Sequence, residues 1–180
     1  MTRLRRRSLL MAGLAGGATA FFGPPKALAD LPARSLSVLN LHTGERLQAV
    51  YWQSGAYVAD ALAAFDKVLR DHRTGEIHAI TPGVLDLAVA LSGRLGVRET
   101  VQIISGYRSP QTNAVLHAAS SGVATRSLHV EGKALDIRMP GVDLARLRDA
   151  AWSLQQGGVG FYPGSDFVHV DVGRVRRWNG

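Results

Sequence analysis

The sequence predicts an α+β domain in which helices flank a small antiparallel sheet. Short runs with β-type alternation open the globular part of the chain and return near its end, and helix-period runs stand between them. Helices come early and short strands converge late, without the repeated strand-helix units of similar length that a doubly wound parallel sheet requires.

The domain is expected to begin after residue 29. Arg3, Arg5, Arg6 and Arg7 precede an apolar stretch from Leu9 to Phe22, which ends in Ala27-Leu28-Ala29: a basic region, a hydrophobic region and a small-x-small cleavage site. The apolar stretch has 14 residues, whereas a membrane-spanning helix needs about 20. Residues 1–29 therefore read as a signal peptide, and residues 30–180 as one domain with no stable membrane span after processing. Arg6-Arg7-Ser8-Leu9-Leu10 resembles the twin-arginine export motif, with Leu9 where Phe is common; the general secretion route is the alternative. Either route places the domain in the periplasm or cell envelope.

Removing the leader discards four Arg and one Lys of the 21 basic residues, leaving 16 against 14 acids. A near-neutral domain lacks the dense basic patch expected of a nucleic-acid binder. Arg174, Arg176 and Arg177 read as a solvated terminal tail. With no cysteine, an exported chain has neither disulfides nor thiol chemistry.

In chain order, Ser35–Leu41 alternates apolar and polar residues, and Leu47–Trp52 follows after Thr43-Gly44-Glu45, giving two strands with a tight connection. Val58, Leu62, Phe65, Val68 and Leu69 recur at helical spacing before Thr74-Gly75, predicting a helix over 57–71. The next helix starts with Thr81 as cap and Pro82 in the first turn, and runs to Gly96. Val101–Ile104 reads as a strand entering Ser105-Gly106, and Pro110 opens a short Ala-rich helix over 111–120. A turn at His129 leads into the strand Ala134–Met139; a helix over Val142–Gln155 and strands Val159–Phe161 and Phe167–Val172 complete the domain.

Strand phase then groups the chemistry. Asp136 faces away from Leu135 and Ile137, and His169 and Asp171 share the face opposite Val168 and Val170. Gly132 allows a sharp turn that returns His129 toward Asp136. Two imidazoles and one carboxylate leave a coordination position for water, the pattern of a catalytic zinc site, and the same set is compatible with non-haem iron. An adjacent carboxylate would take the proton from the water; Asp166 at the strand mouth is the expected general base and Asp171 the supporting partner. Arg108, at a strand-to-loop transition in Ser105-Gly106-Tyr107-Arg108-Ser109-Pro110, suits a substrate carboxylate or a developing oxyanion, and Tyr107 suits the pocket's cover. Taken alone, each His reads more often as a surface or hydrogen-bonded residue than as a ligand, and Arg108 as the partner of a surface acid; their joint occurrence shifts the balance. Ser105, Ser109 and Ser127 lie in no Gly-x-Ser-x-Gly elbow, and Ser127 is expected to fix the His129 turn. His42, His72 and His117 read as structural or exposed, His78 is left unassigned, and Trp152, Phe161, Tyr162 and Trp178 read as core or rim packing.

At Ser127, His129, Gly132, Ala134 and Asp136 the chain matches the Ser-x-His-x-x-Gly-x-Ala-x-Asp motif of the zinc peptidases that cut peptidoglycan peptides, and it resembles that group, which includes D-Ala-D-Ala carboxypeptidases and dipeptidases, murein endopeptidases and the hedgehog domain. Asp166-Phe167-Val168-His169 stands where the group has Glu-x-x-His, and Ser105–Ser109, Gly75–His78 and Gly158–Tyr162 resemble the MepK/YcbK-type murein endopeptidases. The resemblance covers about residues 35–178. It implies a hedgehog/DD-peptidase-like fold, Zn2+ held by His129, Asp136 and His169, Arg108 near the substrate, and Asp166 as the base. The implied activity is cleavage of cross-links in peptidoglycan; a D,D- or L,D-carboxypeptidase acting on stem peptides and a non-catalytic zinc-containing peptidoglycan-binding domain are the alternatives. Asp166 is one methylene shorter than the family's Glu, a displacement of about 1 Å on a scale where misplacement is costly.

Overall fold

The computed structural model describes residues 31–119 and 123–180, so the expected signal peptide lies outside the described residues. Eight strands, β1 Arg34–Asn40, β2 Arg46–Gln53, β3 Ala56–Tyr57, β4 Val101–Ser105, β5 Ala134–Arg138, β6 Gly158–Tyr162, β7 Phe167–Asp171 and β8 Arg176–Asn179, form one sheet in the order β3-β2-β1-β4-β5-β7-β6-β8. Among the described residues, four α-helices accompany it: α1 Ala59–Val68, α2 Pro82–Leu95, α3 Pro110–Ala119 and α4 Leu144–Leu154. The α+β class with a mainly antiparallel sheet is what the sequence predicts. Two pairs, β1 with β4 and β6 with β8, are parallel, because each is joined by a connection long enough to bring the chain back to the same end.

The strands divide the domain by their period of two. Leu36 and Val38, Val101 and Ile103, Leu135 and Ile137, and Val168 and Val170 are buried and belong to one hydrophobic core. Helix α2 presents Val84, Leu85, Leu87, Ala88, Leu91 and Leu95 to that core, a 3.6-period stripe, and α4 adds Leu147, Ala150 and Ala151. The opposite sheet face carries Asp136, His169 and Asp171. Burying Leu135 and Ile137 is worth about 1.5–3 kcal/mol each, and the same burial holds Asp136 between them with its side chain turned the other way.

Local departures from expectation have local causes. Helix α1 stops at Val68, short of residue 71, because Leu69 leaves the helix to bury its side chain while its carbonyl accepts Tyr107 N–H at 2.8 Å. The following loop is organised by buried Asp71, whose Oδ1 accepts Arg73 N–H (2.8 Å) and whose Oδ2 accepts Ser109 N–H (2.9 Å). Thr81 makes no side-chain cap to α2; its N–H instead donates to Gly132 O at 2.8 Å, tying the helix start to the His129 turn. Asp143 caps α4 by accepting Arg146 N–H. The segment expected as a solvated C-terminal tail is strand β8. Among the described residues no helix is long and apolar enough to cross a membrane.

Candidate metal centre

One row of paired residues crosses the sheet: Ser105 opposite Asp136, Asp136 opposite His169, His169 opposite Gly160, and Gly160 opposite Trp178. Alternation points Asp136 and His169 to the same face, so β5 and β7 bring the two candidate ligands together without any loop. His129 arrives from a 3₁₀ turn, Leu128–Glu131. Ser127 Oγ accepts His129 N–H, starting the turn as expected, and Gly132 ends it at φ 64°. A Cβ at Gly132 would run into the carbonyl oxygen of Ala79, so both the backbone angle and the space require glycine. Gly106 meets a similar limit, since a Cβ there would strike Leu69 O.

His129 Nε2, Asp136 Oδ1 and His169 Nδ1 converge, with separations of 3.1 Å (His129 to Asp136), 2.9 Å (His169 to Asp136) and 3.1 Å (His129 to His169). All three residues are buried. The far side of each imidazole is tied down: His129 Nδ1 donates to Gly106 O at 2.7 Å, and His169 Nε2 donates to Asp171 Oδ2 at 3.1 Å. Those bonds place the ring protons away from the centre. Two imidazole lone pairs and a carboxylate oxygen are then aimed at one point, which is repulsive unless a cation lies between them. A proton on one ring relieves part of this, whereas a divalent metal satisfies all three donors together. Tetrahedral zinc bound at about 2.0–2.2 Å sets its donors about 3.3 Å apart, close to the spacing observed, so the residues fit the group.

Burial and the neighbouring groups shift the titration of each residue of the centre. Burial pushes the His129 imidazole below its ordinary pKa. Burial alone would raise Asp136, but the His129 and His169 imidazoles hold it well below the usual carboxylate range. For His169 burial opposes protonation, and hydrogen bonds to Asp136 and Asp171 outweigh it, raising the pKa. Asp171 is fully buried and fully engaged: Oδ1 accepts Gly158 N–H (2.9 Å) and Gly173 N–H (2.8 Å), and Oδ2 accepts Arg176 Nη2 at 2.7 Å besides His169. Burial would raise its pKa too, yet these donors hold it well below normal.

The centre opens into a cavity of about 700 Å3. Trp178 stands over His169 with ring centroids 5.1 Å apart and donates Nε1–H to Tyr162 Oη, while Tyr162 stacks on Phe167. Arg108 lines the cavity, with Nη2 3.4 Å from Asp136 Oδ2 and a buried Nε without a partner among the described residues. Burial lowers its pKa from the usual arginine value.

The remaining candidates fall as follows. Asp166 sits at φ 55° at the end of the 3₁₀ turn Pro163–Ser165, exposed, with Oδ2 paired to Arg138 Nη1; it is not among the side chains lining the cavity. Tyr107 does not cover the pocket; it is buried, donates to Glu76 Oε1 and stacks on His78. His117 Nδ1 lies 2.6 Å from Val123 O. Ser109 Oγ accepts Thr112 N–H in the first turn of α3. Sequence reasoning missed Arg176, which holds Asp171 rather than fraying in solvent, and missed His42 and His72, which stack at 3.8 Å on the cavity wall. The alternation of Arg176 and Trp178 about Arg177 was the available signal for β8; nothing local signals the histidine stack.

Comparison with known proteins places this geometry in a family. The chain is 43% identical over 175 residues to "Peptidoglycan L,D-endopeptidase MepK" of Escherichia coli strain K12, covering 97% of this chain and 96% of that protein. It is 38% identical over 178 residues to the "Probable peptidoglycan L,D-endopeptidase MepK" of Haemophilus influenzae, covering 98% and 96%. No solved structure gives a significant match. The family model described as "Peptidoglycan L,D-endopeptidase MepK" matches residues 29–178, and the chain belongs to that family.

Proposed function

We propose that this chain is an exported zinc metallopeptidase that hydrolyses L,D peptide cross-links in peptidoglycan. The observation that carries the reading is the convergence of three donor atoms, from His129, Asp136 and His169, at the floor of an open cavity. Two relatives of nearly the same length carry names stating an L,D-endopeptidase activity. The family match begins at residue 29, where the leader ends in the sequence reading, which supports export to the periplasm.

Zinc held by His129, Asp136 and His169 supplies a Lewis acid and an activated water. The chain's own residues do the rest. Asp171 fixes the His169 ring so that Nδ1 faces the cavity, and the Gly106 carbonyl does the same for His129 Nε2. Arg108, whose Nη2 lies beside Asp136 and whose Nε has no partner among the described residues, donates to the negative charge that develops on the scissile carbonyl oxygen. Asp166, exposed between the cavity-lining Ser165 and Phe167 and paired through Oδ2 with Arg138, would turn its free Oδ1 into the cavity to take the proton and return it to the leaving amine. Asp171 is unsuited to that role, because both of its oxygens are occupied and it is sealed from the cavity.

The test is digestion of purified cross-linked muropeptides, with product masses read before and after chelation. Separation of two stem peptides is the expected result. Loss of a terminal residue alone makes the protein a carboxypeptidase, and saturable binding without any product makes it a non-catalytic zinc domain.

A further inference from the structure

Resting on the endopeptidase reading, we propose that the β1 end of the cleft is a carboxylate subsite, in which Arg73, beside the stacked His42 and His72, binds a free carboxylate carried by the peptide substrate. Four arginines line the cavity (Arg73, Arg108, Arg126 and Arg176) against one acid, Asp136. Arg108 lies against Asp136 and Arg176 against Asp171. Among the described residues neither Arg73 nor Arg126 has an acidic partner, and of the two only Arg73 follows the stacked histidine His72 directly in the chain. The nearest acid in sequence, Asp71, is buried with its oxygens turned to the N–H groups of Arg73, Thr74 and Ser109. That same buried carboxylate ties the Arg73 loop to the start of α3, so the cation is presented from a fixed backbone.

The two histidines complete the wall. His42 N–H donates to Asn40 Oδ1 at 3.0 Å, and its ring lies 3.8 Å from that of His72 at an interplanar angle of 11°. His72 is pushed below its ordinary pKa by burial first, and then by the charges of His42 and Arg73. With the Asp71 oxygens occupied by backbone N–H groups, the Arg73 guanidinium beside the stacked rings favours an anion, and its fork matches a carboxylate in two parallel hydrogen bonds. The position follows from the sheet. Leu41 N–H bonds Ile103 O, so the β1–β2 turn that carries His42 begins where the β1–β4 pairing ends, and β4 lies beside the Asp136 strand. Two strand spacings of about 4.8 Å separate β1 from the Asp136 strand, which puts the subsite at least about 10 Å from Asp136. That distance selects a carboxylate about three extended residues from the scissile bond, or on a long side chain nearer to it.

The experiment compares kcat/KM on purified cross-linked muropeptides whose carboxylates are free or amidated, for the zinc-loaded wild type, Arg73→Gln and Arg73→Lys. Amidation is expected to lower the wild-type value about tenfold to hundredfold, mainly through KM. Arg73→Gln should show a similar loss on the free acid with little further loss on amidation, and Arg73→Lys should recover part of it; non-additivity assigns the carboxylate to Arg73. Equal cleavage of both forms by wild type, or an unaltered free-acid rate in Arg73→Gln, overturns the subsite and leaves the endopeptidase reading intact. If wild type cuts neither form, the endopeptidase reading fails. Calorimetric binding of the uncut free-acid muropeptide then decides the subsite, with affinity lost in Arg73→Gln in favour and affinity unchanged against.

Discussion

Replacing Asp171 with Asn tests whether the far side of His169 sets the centre's geometry. In the native protein Asp171 only accepts: from Gly158 N–H, Gly173 N–H and Arg176 Nη1 on one oxygen, and from His169 Nε2 and Arg176 Nη2 on the other. Asp171→Asn would put an NH2 group where one of those oxygens stood, and every neighbour there is a donor. If the NH2 faces His169, it favours the tautomer with Nε2 as acceptor and the proton on Nδ1, the atom aimed at the metal. If it faces the glycine amides, two buried N–H groups lose their acceptor. Loss of such a partner reduces metal affinity about 10–100-fold, or about 1.4–2.7 kcal/mol. One or two buried unsatisfied donors cost a further 1–3 kcal/mol each, roughly, in stability. Competition titration of zinc against a chelator reads the first quantity, and denaturant unfolding of the zinc-free protein reads the second. Zinc affinity within twofold of wild type would refute the claim that Asp171 positions His169.

Three further outcomes follow from other parts of the structure. Asp166→Ala should retain zinc at wild-type stoichiometry, measured by plasma mass spectrometry, while turnover of cross-linked muropeptides falls about 10²–10⁴-fold; near-normal turnover moves the proton to another group. Gly132→Ala should lower the unfolding free energy by about 1–3 kcal/mol or more, because the new Cβ meets Ala79 O at a positive φ. Asp71→Asn should destabilise the protein by about 2–4 kcal/mol at neutral pH, because a buried acceptor of several N–H bonds becomes part donor. Burial alone would raise the Asp71 pKa, but the Thr112 hydroxyl and the Ser109 and Arg73 amides hold it well below the usual range. Its folded value is depressed, so its stabilisation is fully present above the unfolded pKa of about 3.9 and declines as pH falls below it. Urea titrations should therefore show the gap between variant and wild type narrowing from pH 5 toward pH 2.

What the sequence disclosed and what it hid divide along physical lines. Asp136 and His169 were readable because a strand's period of two assigns their faces locally, and Gly132 because a turn must return His129 to them. The neighbour relation of β5 and β7 is a long-range property, since β6 precedes β7 in the chain yet lies outside it in the sheet. Arg176 was obscured by its company: three arginines in four positions read as solvent-facing until β8 pairs with β6 and alternation turns Arg176 and Trp178 inward. His42 and His72 follow two separate elements, and the buried Asn40 side chain links them: its Nδ2 donates to Val68 O at the end of α1 and its Oδ1 accepts His42 N–H. The pairing of Asp166 with Arg138 had half a signal, because Arg138 shares a strand face with Asp136. The left-handed backbone at Asp166 that directs the carboxylate to it had none.

The central claim is that three side chains from two strands and a turn hold one catalytic zinc. Anomalous diffraction at the zinc absorption edge, from crystals of the protein loaded with one equivalent of zinc, tests it most directly. The expected result is a single strong peak about 2.0–2.2 Å from each of His129 Nε2, Asp136 Oδ1 and His169 Nδ1, with room for a further ligand on the cavity side. A peak held elsewhere, or none between these atoms while the crystals contain zinc, would contradict it.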